Sequence, residues 1–417
     1  MIGKVSTVKK RALNAEVAVI GQGYVGLSLA MAVVSVGIPV IGVDSSKGIV
    51  NQLNNGLSHI EGVPNQTLQL AIDSGIYQAT DDFSQIAGCN VVVIAVPTPI
   101  DEMHKPDLGK LKRACDAIAP HVSPLTLIIS ESTSYIGTLR NLVANRISEL
   151  NKSQFDFAVS PERVDPGNAT FDVKNTARIV GGLTHSATQK AVDFYRKFCG
   201  RVIAVSSAEV AEASKLLENT YRYVNIAFIN EFSQLMNTMK IPATEVIEAA
   251  ATKPFGFAQF IPSAGVGGHC IAVDPFYLQK SAIENCQPLN FVELSKEING
   301  QMAKYLVSRL EEKSGPILGK SVLVIGLSYK PNVADARESA SFNVIEELRL
   351  KGALVSWHDP IIKSHGGSTS SSISDDYDLA LVLVNHEILD FSDWGDSPIF
   401  CINKDRTKPT WIPLIGT

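Results

Sequence analysis

Six residues, Gly21-Gln22-Gly23-Tyr24-Val25-Gly26, stand between the short β-branched run Glu16–Ile20 and an apolar helical period that extends to Val36. In this spacing the first glycine permits a tight turn and the second lets backbone approach a diphosphate. The third lets helix and strand pack closely. Gly37 supplies the helix stop, and a second strand, Pro39–Val43, ends at Asp44. Alone, G-x-G-x-x-G is a weak signal; a strand before it, a helix after it and an acid about 20 residues on make it a strong one. The chain therefore opens on a βαβ unit whose helix N-terminus offers free N–H groups to an anion. A carboxylate at Asp44 accepts from a ribose 2′-hydroxyl and repels a 2′-phosphate, which favours NAD over NADP. Lys47 is the one nearby charge of opposite effect.

The remaining pattern repeats that theme. Strand-like runs at Val91–Val96, Leu127–Ser130 and Phe157–Val159 alternate with helical stretches, which predicts a parallel sheet covered on both faces. Ser206–Lys240 holds neither Gly nor Pro, so it reads as one long helix with room for a single break, opened by a capping box of Ser206 and Glu209. Lys215, Asn219 and Arg222 fall on one face of it. A second sheet begins at Lys320 with SVLVIGLSY and continues through ALVSWHD and DLALVLV, while His365–Ser374 reads as a Gly/Ser-rich surface loop. The expectation is an α/β chain of two doubly wound, Rossmann-like parallel-sheet domains joined by a long central helix. Residues 1–205 would form the dinucleotide-binding domain, 206–315 a helical and dimerisation domain, and 316–417 a second Rossmann-like domain.

Composition narrows the function classes. A net charge of -5 gives no bulk attraction for nucleic acid, so anionic ligands need local partners. No apolar run approaches the roughly 20 residues that span a bilayer, and the basic N-terminus lacks the apolar core of a secretory signal. The six cysteines show no C-x-x-C pairing, which fits neither a structural zinc site nor a disulfide scaffold and points to a reducing cytoplasm. No metal is expected.

One cysteine stands apart. Cys270 ends Gly265-Val266-Gly267-Gly268-His269-Cys270, and Asp274 follows four residues on. Glycines there allow close approach of a ligand to backbone. A thiol so placed can trap an aldehyde, given a cation or base to activate it. The other five cysteines read as small buried hydrophobes. His269 is adjacent in sequence and so points away, which leaves it a structural role. Lys215 and Asn219 have the chemistry to stabilise an oxyanion beside such a thiol, although a Lys/Asn pair on a helix is ordinarily a solvated face.

Seven segments then resolve the choice: GQGYVGLSLA, VPTPID with PD at 106–107, ESTSYIGT, SPERVDPGN, KLLENTYRYVNIAFINE, GVGGHCIAVDP and GLSYKPNVADARES. In this order they resemble the UDP-glucose/UDP-N-acetylhexosamine 6-dehydrogenase family over almost the whole chain, UDP-N-acetyl-D-glucosamine 6-dehydrogenases most of all. The resemblance implies NAD as cofactor and a four-electron oxidation of a primary alcohol to a carboxylate. It implies Cys270 as nucleophile, Lys215 and Asn219 as oxyanion partners, and Asp274 as partner of the lysine and a water. Glu162 would serve thioester hydrolysis, with Thr133 near the water. Cofactor contacts would come from Gly21, Gly23, Tyr24, Val25, Gly26, Asp44, Pro97, Thr98, Ser132, Thr133 and Lys330. The sugar nucleotide would meet Glu162, Arg163, Val164, Lys215, Asn219, Arg222, Asn225, Gly267, Tyr329, Lys330 and Arg337.

SPER is closer to the N-acetylhexosamine branch than to the glucose branch. UDP-glucose and the manno and galacto epimers remain alternatives, as do a two-electron dehydrogenase that leaves Cys270 idle and a non-catalytic nucleotide-sugar binder. A homodimer or higher homo-oligomer through the central helix is expected, with no nucleic-acid or membrane partner. Ala272, Ile136 and the pair Ser263-Ala264 depart from the family's usual loop residues.

Overall fold

The computed structural model describes residues 13–415 apart from 61, 102, 165–172, 375 and 406. The basic extension before residue 13 and positions 165–168 of SPERVDPGN lie outside the described residues. The chain divides into two compact units, one through Lys215 and one from Leu216.

In the first unit, β1 (Val17–Ile20), α1 (Tyr24–Val34), β2 (Val40–Val43), α2 (Lys47–Asn54), α3 (Asn65–Asp73) and β3 (Tyr77–Thr80) form the opening half. There follow β4 (Val91–Ile94), α4 (Gly109–Ile118), β5 (Leu127–Ser130), α5 (Asn145–Leu150), β6 (Asp156–Val159), β7 (Arg178–Gly182), α6 (His185–Tyr195) and β8 (Val202–Ala204). The eight strands lie in the order β3-β2-β1-β4-β5-β6-β7-β8. The central strands β1, β2 and β5 are buried at every position, as expected where helices cover both faces and the sequence reads as unbroken apolar runs.

The sheet is not parallel throughout. β7 runs antiparallel to β6, and β8 then pairs parallel with β7. β7 opens on a buried arginine and ends on two glycines, and β8 is a three-residue apolar piece, Val-Ile-Ala, with its last residue exposed. A parallel return would need a crossover, normally a helix. Among the described residues between β6 and β7 there is none.

The helix α7 (Ala208–Thr238) starts in the first unit, ends in the second, and is unbroken. Its cap differs from the expected one. Val210 N donates to Ser207 Oγ at 3.3 Å, so Ser207, one residue later than Ser206, closes the first turn.

The second unit continues with α8 (Ala243–Ala251), α9 (Asp274–Glu284), α10 (Asn290–Ser314), β9 (Ser321–Ile325), α11 (Ala340–Leu350) and β10 (Leu354–His358). It ends with the short β11 (Ser364–His365) and β12 (Ser368–Thr369), then β13 (Leu379–Val382), β14 (Ile399–Asn403) and β15 (Ile412–Ile415). Its five-stranded sheet, β10-β9-β13-β14-β15, is parallel throughout. The predicted loop at 365–374 contains a hairpin instead. Gly366 and Gly367 both take positive φ, and β11 pairs antiparallel with β12, the turn chemistry that two consecutive glycines permit. No helix among the described residues is long and apolar enough to cross a membrane.

Candidate active site

In the first unit the glycine turn divides its labour as the spacing predicts. Gly21 has φ +90, and a side-chain carbon there would meet Ala95 O at 2.6 Å. One on Gly26 would lie 1.8 Å from Gly21 O. Gly23 has open space around it and precedes α1 without a side-chain cap. Tyr24 and Val25 form the first turn of that helix. Two positions are thus closed by packing, and the one that must admit a diphosphate is open. Asp44, at the end of β2, accepts from Gln22 N (2.9 Å) and Ser46 N (2.9 Å) and is partly exposed. Lys47 points to Asp81 at 3.9 Å and is 84% exposed, so it lies away from the acid's role. These features fit an NAD molecule.

The loops that follow β4 and β5 are tied to each other by hydroxyls. Thr98 Oγ1 donates to Thr133 O at 2.6 Å, and Ser132 Oγ donates to Val96 O at 2.7 Å while accepting from Val96 N. Pro97 is exposed between them, and Thr133 is half-buried. Ser132 and Thr98 therefore spend their hydroxyls on the loop itself. Glu212 on α7 accepts from Gly137 N (2.6 Å) and Leu139 N (2.8 Å), anchoring the segment that follows Thr133. Burial pushes its carboxyl up to about 7, against the pull of those two amides.

Glu162 is held on both oxygens. Arg163 N (2.7 Å) and Val164 N (2.6 Å) donate to Oε1, and Arg178 Nη2 lies 2.7 Å from Oε2. The Arg163 guanidinium donates to Ala177 O. Burial alone would raise the Glu162 carboxyl. Arg178, the two amides and the Lys215 ammonium outweigh it and leave it below the usual range. Lys215 is 8% exposed and Asn219 6%, so this face of α7 is buried and the ordinary solvated-face reading does not hold. Arg222, on the same stripe, is exposed, and Asn225 turns its amide to Tyr221 O in its own helix.

In the second unit Asn219 Nδ2 donates to Asp274 Oδ2 at 2.5 Å, both groups buried. Cys270 O accepts from Val273 N and Asp274 N, so the cysteine closes a turn that leads straight into α9. Its thiol is exposed. The glycine loop packs against the Tyr329–Glu338 segment: a carbon on Gly267 would meet Glu338 O at 2.8 Å, and one on Gly268 the Tyr329 ring at 2.8 Å. Gly268 N donates to Arg337 O. Close approach of protein to protein therefore accounts for these glycines on that side. Ser263 N donates to Asn230 Oδ1 at 2.9 Å, a bond that a proline at this position could not make. Arg337 forks onto Asp335, with Nη2 2.7 Å from Oδ2. Its pKa is raised first by that bond and further by the nearby Cys270 sulfur and Tyr329. Lys330 is half-buried on the same segment.

Of the other cysteines, Cys89, Cys115, Cys199 and Cys401 are buried as expected. Burial pushes their thiols up, to about 11 or 12. Cys286 departs from that reading. It is exposed, with φ 57, just past the end of α9, where a left-handed residue ends the helix. Glu131, Arg178, Tyr195 and Glu212 escaped the sequence reading. The available signal was a charge set against an apolar strand run, as in LIISE and ARIVGG.

The chain matches the UDP-glucose/GDP-mannose dehydrogenase family in three segments: the NAD binding domain at 15–199, the central domain at 209–301 and the UDP binding domain at 323–398. It is 34% identical to a UDP-N-acetyl-D-mannosamine dehydrogenase of Campylobacter jejuni, over 81% of this chain and 84% of that protein. To a UDP-N-acetyl-D-glucosamine 6-dehydrogenase of Salmonella typhi it is 31% identical, over 94% of each. Among solved structures, the UDP-D-ManNAc dehydrogenase of Pyrococcus horikoshii superposes with a TM-score of 0.84 at 29% identity, covering 92% of this chain and 94% of that one.

Proposed function

The chain belongs to the UDP-glucose/GDP-mannose dehydrogenase family, and from that premise we propose that it oxidises C6 of a UDP-N-acetylhexosamine through to the carboxylate, with UDP-N-acetylglucosamine as first candidate. The enzyme is an NAD-dependent UDP-sugar dehydrogenase. The observation that carries the four-electron reading is Cys270: the exposed thiol sits at the turn into α9, beside Arg337, with the buried Asn219–Asp274 pair on neighbouring helices.

NAD, when bound, supplies the hydride acceptor, one molecule for each two-electron stage. Between the stages Cys270 Sγ adds to the C6 aldehyde and holds the sugar as a thiohemiacetal, then as a thioester. Arg337 favours the thiolate. Lys215 and Asn219 stabilise the oxygen that bears charge at C6, and Asp274 fixes the Asn219 amide. Water then attacks the acyl carbon, its proton passing to Glu162, and the C–S bond breaks with the electron pair on Sγ. Tyr329 and Lys330 receive the nucleotide. The three-part division at 205 and 315, a cytoplasmic setting, a role in cell-surface polysaccharide supply and a homodimer through α7 belong to the same proposal.

The SPER segment favours an N-acetylated sugar. UDP-N-acetylmannosamine is the second reading, because relatives named for it align as well as those named for the gluco epimer. The test is turnover with NAD and a panel of UDP-sugars, with product identified. Two NADH per sugar and a uronate are expected, and one NADH per sugar would overturn the four-electron reading. Cys270→Ala should lower acid formation by about a thousandfold or more while NAD still binds. Normal uronate production by that variant would remove the covalent step.

A further inference from the structure

The first unit buries an arginine that the reaction above does not use. Arg178, the first residue of β7, is 1% exposed. A guanidinium cannot be buried without partners, and it has two acids. Nη1 lies 3.0 Å from Glu131 Oε1 and Nη2 lies 2.7 Å from Glu162 Oε2. Glu131 follows β5 directly and precedes Ser132 and Thr133; Glu162 comes shortly after β6. Tyr195 of α6 donates to Glu131 Oε1 at 2.5 Å, and the Arg178 guanidinium stands over the Tyr195 ring at 5.2 Å. The antiparallel turn of β7 thus bridges the ends of two neighbouring strands with one cation.

We propose that Arg178 is a positioning residue for the hydrolytic step: it fixes the Glu162 carboxylate and, because Glu131 shares its charge, sets how strongly Glu162 holds a proton. This rests on the assignment of Glu162 to thioester hydrolysis. Three of the roughly four acceptor positions of a carboxylate are filled on Glu162, by Arg163 N, Val164 N and Arg178 Nη2. Among the described residues, that leaves one for water. The groups facing Glu131 are Arg178, Tyr195, Glu162 and Cys199; those facing Glu162 are Arg178, Lys215, Glu131 and Cys199. Burial, against the pull of Arg178, pushes Glu131 up to about 7. When Glu131 ionises, less of the arginine's charge remains for Glu162, whose basicity rises. When Glu131 is protonated, Glu162 is held as a weaker base.

The step balances without a further reagent. Water oxygen bonds to the acyl carbon, one proton goes to Glu162, the C–S pair returns to Cys270 Sγ, and Sγ recovers that proton as the acid leaves.

The experiment compares the whole enzyme with Arg178→Lys, Glu131→Gln and Glu162→Gln. Each is mixed with NAD and saturating UDP-sugar and quenched for intact-protein mass spectrometry, alongside kcat, KM and the pH profile. Arg178→Lys retains the buried charge but reaches one acid at a time. It should lower kcat by about a hundredfold, the scale of a misplaced reacting group, with KM within about threefold, and should accumulate the sugar nucleotide on Cys270. Glu131→Gln should also accumulate adduct and lose an ionisation near neutral pH from the kcat profile.

Wild-type kcat without adduct in both variants would overturn the inference. So would early melting and lost NAD binding in Arg178→Lys alongside wild-type kinetics in Glu131→Gln. Adduct in Glu162→Gln but in neither of the other two would remove Arg178 alone. No adduct and normal turnover in Glu162→Gln would instead remove the hydrolytic role of Glu162 itself.

Discussion

The two sheets open with the same backbone device and use it for opposite ends. After β1, Gly21 takes φ +90 and donates to Val43 O; after β9, Gly326 takes φ +92 and donates to His358 O. Each neighbouring strand then ends at an aspartate. Asp44 accepts from two amides and stays partly exposed. Asp359 is wholly buried, accepts from Leu327 N, Ser328 N, Ser328 Oγ, Ile361 N and Ile362 N, and faces His386 Nε2 at 3.3 Å. One acid keeps an exposed side and the other is spent on its own loop.

The helices differ for the same reason. In the first unit α1 starts within the turn, and Gly26 lets it press on Gly21 O. In the second, α11 starts only at Ala340, and its Ser341 Oγ donates to Gly326 O at 2.8 Å. The intervening residues carry Tyr329, Lys330 and Arg337. His386 Nδ1 accepts from Asn332 N, which pins the middle of that segment. A doubly wound turn can thus present phosphate-binding amides directly, or give them up for a longer loop with side chains of its own.

The two turns differ most in what a side chain at their glycines would disturb. Gly26→Ala should weaken NAD binding about 10- to 100-fold, the equivalent of 1–3 kcal/mol of overpacking, read by calorimetric titration. Gly326→Ala, whose new carbon would sit 2.5 Å from Val384, should destabilise the second unit and leave NAD affinity unchanged.

Next come the acids. Asp359→Asn should cost about 2–4 kcal/mol of stability, because it leaves a buried set of donors without their charge. Asp44→Asn should cost under about 1 kcal/mol yet raise the NAD dissociation constant about tenfold. Equal destabilisation by the two, measured in denaturant, would erase the distinction.

The pH responses should run in opposite directions. Glu131 and Glu212 have folded pKa values near 7, raised by burial above the ordinary 4.5. Their contribution is present below about 4.5 and lost as pH rises through about 7. Burial would raise Asp359 too, but His386 and its backbone donors win and hold it well below 3.8, so its contribution is present above that value and lost as pH falls. Hydrogen exchange at pH 5 and pH 7.5 should show protection falling with pH around β5 and α7, but not around β9 and β10. The smallest effect is Ser341→Ala, about 1 kcal/mol for one hydrogen bond, confined to the second unit in the same measurement.

Much of this was legible beforehand because it is local. The glycine spacing, the acid after β2, the uninterrupted helix and the cysteine loop are patterns in neighbouring residues. The antiparallel β7, the short β8 and the hairpin at 364–369 are not legible there: β7 is broken by an arginine and two glycines, β8 is only three residues long, and the hairpin strands are polar. Arg178 and Glu131 look like ordinary polar ends of strands in the sequence. Only when β5, β6 and β7 lie side by side does one guanidinium fall between two carboxylates.

From the order of residues alone follow a dinucleotide turn, a second doubly wound sheet and membership of the UDP-glucose/GDP-mannose dehydrogenase family. Backbone sterics and side-chain periodicity act over a few residues and can be read there. Tertiary structure decided which charges are buried, which acid is saturated and which is open, and that Asn219 meets Asp274 across two helices. Desolvation and hydrogen bonding depend on what lies nearby in space, and strand order and helix packing set that.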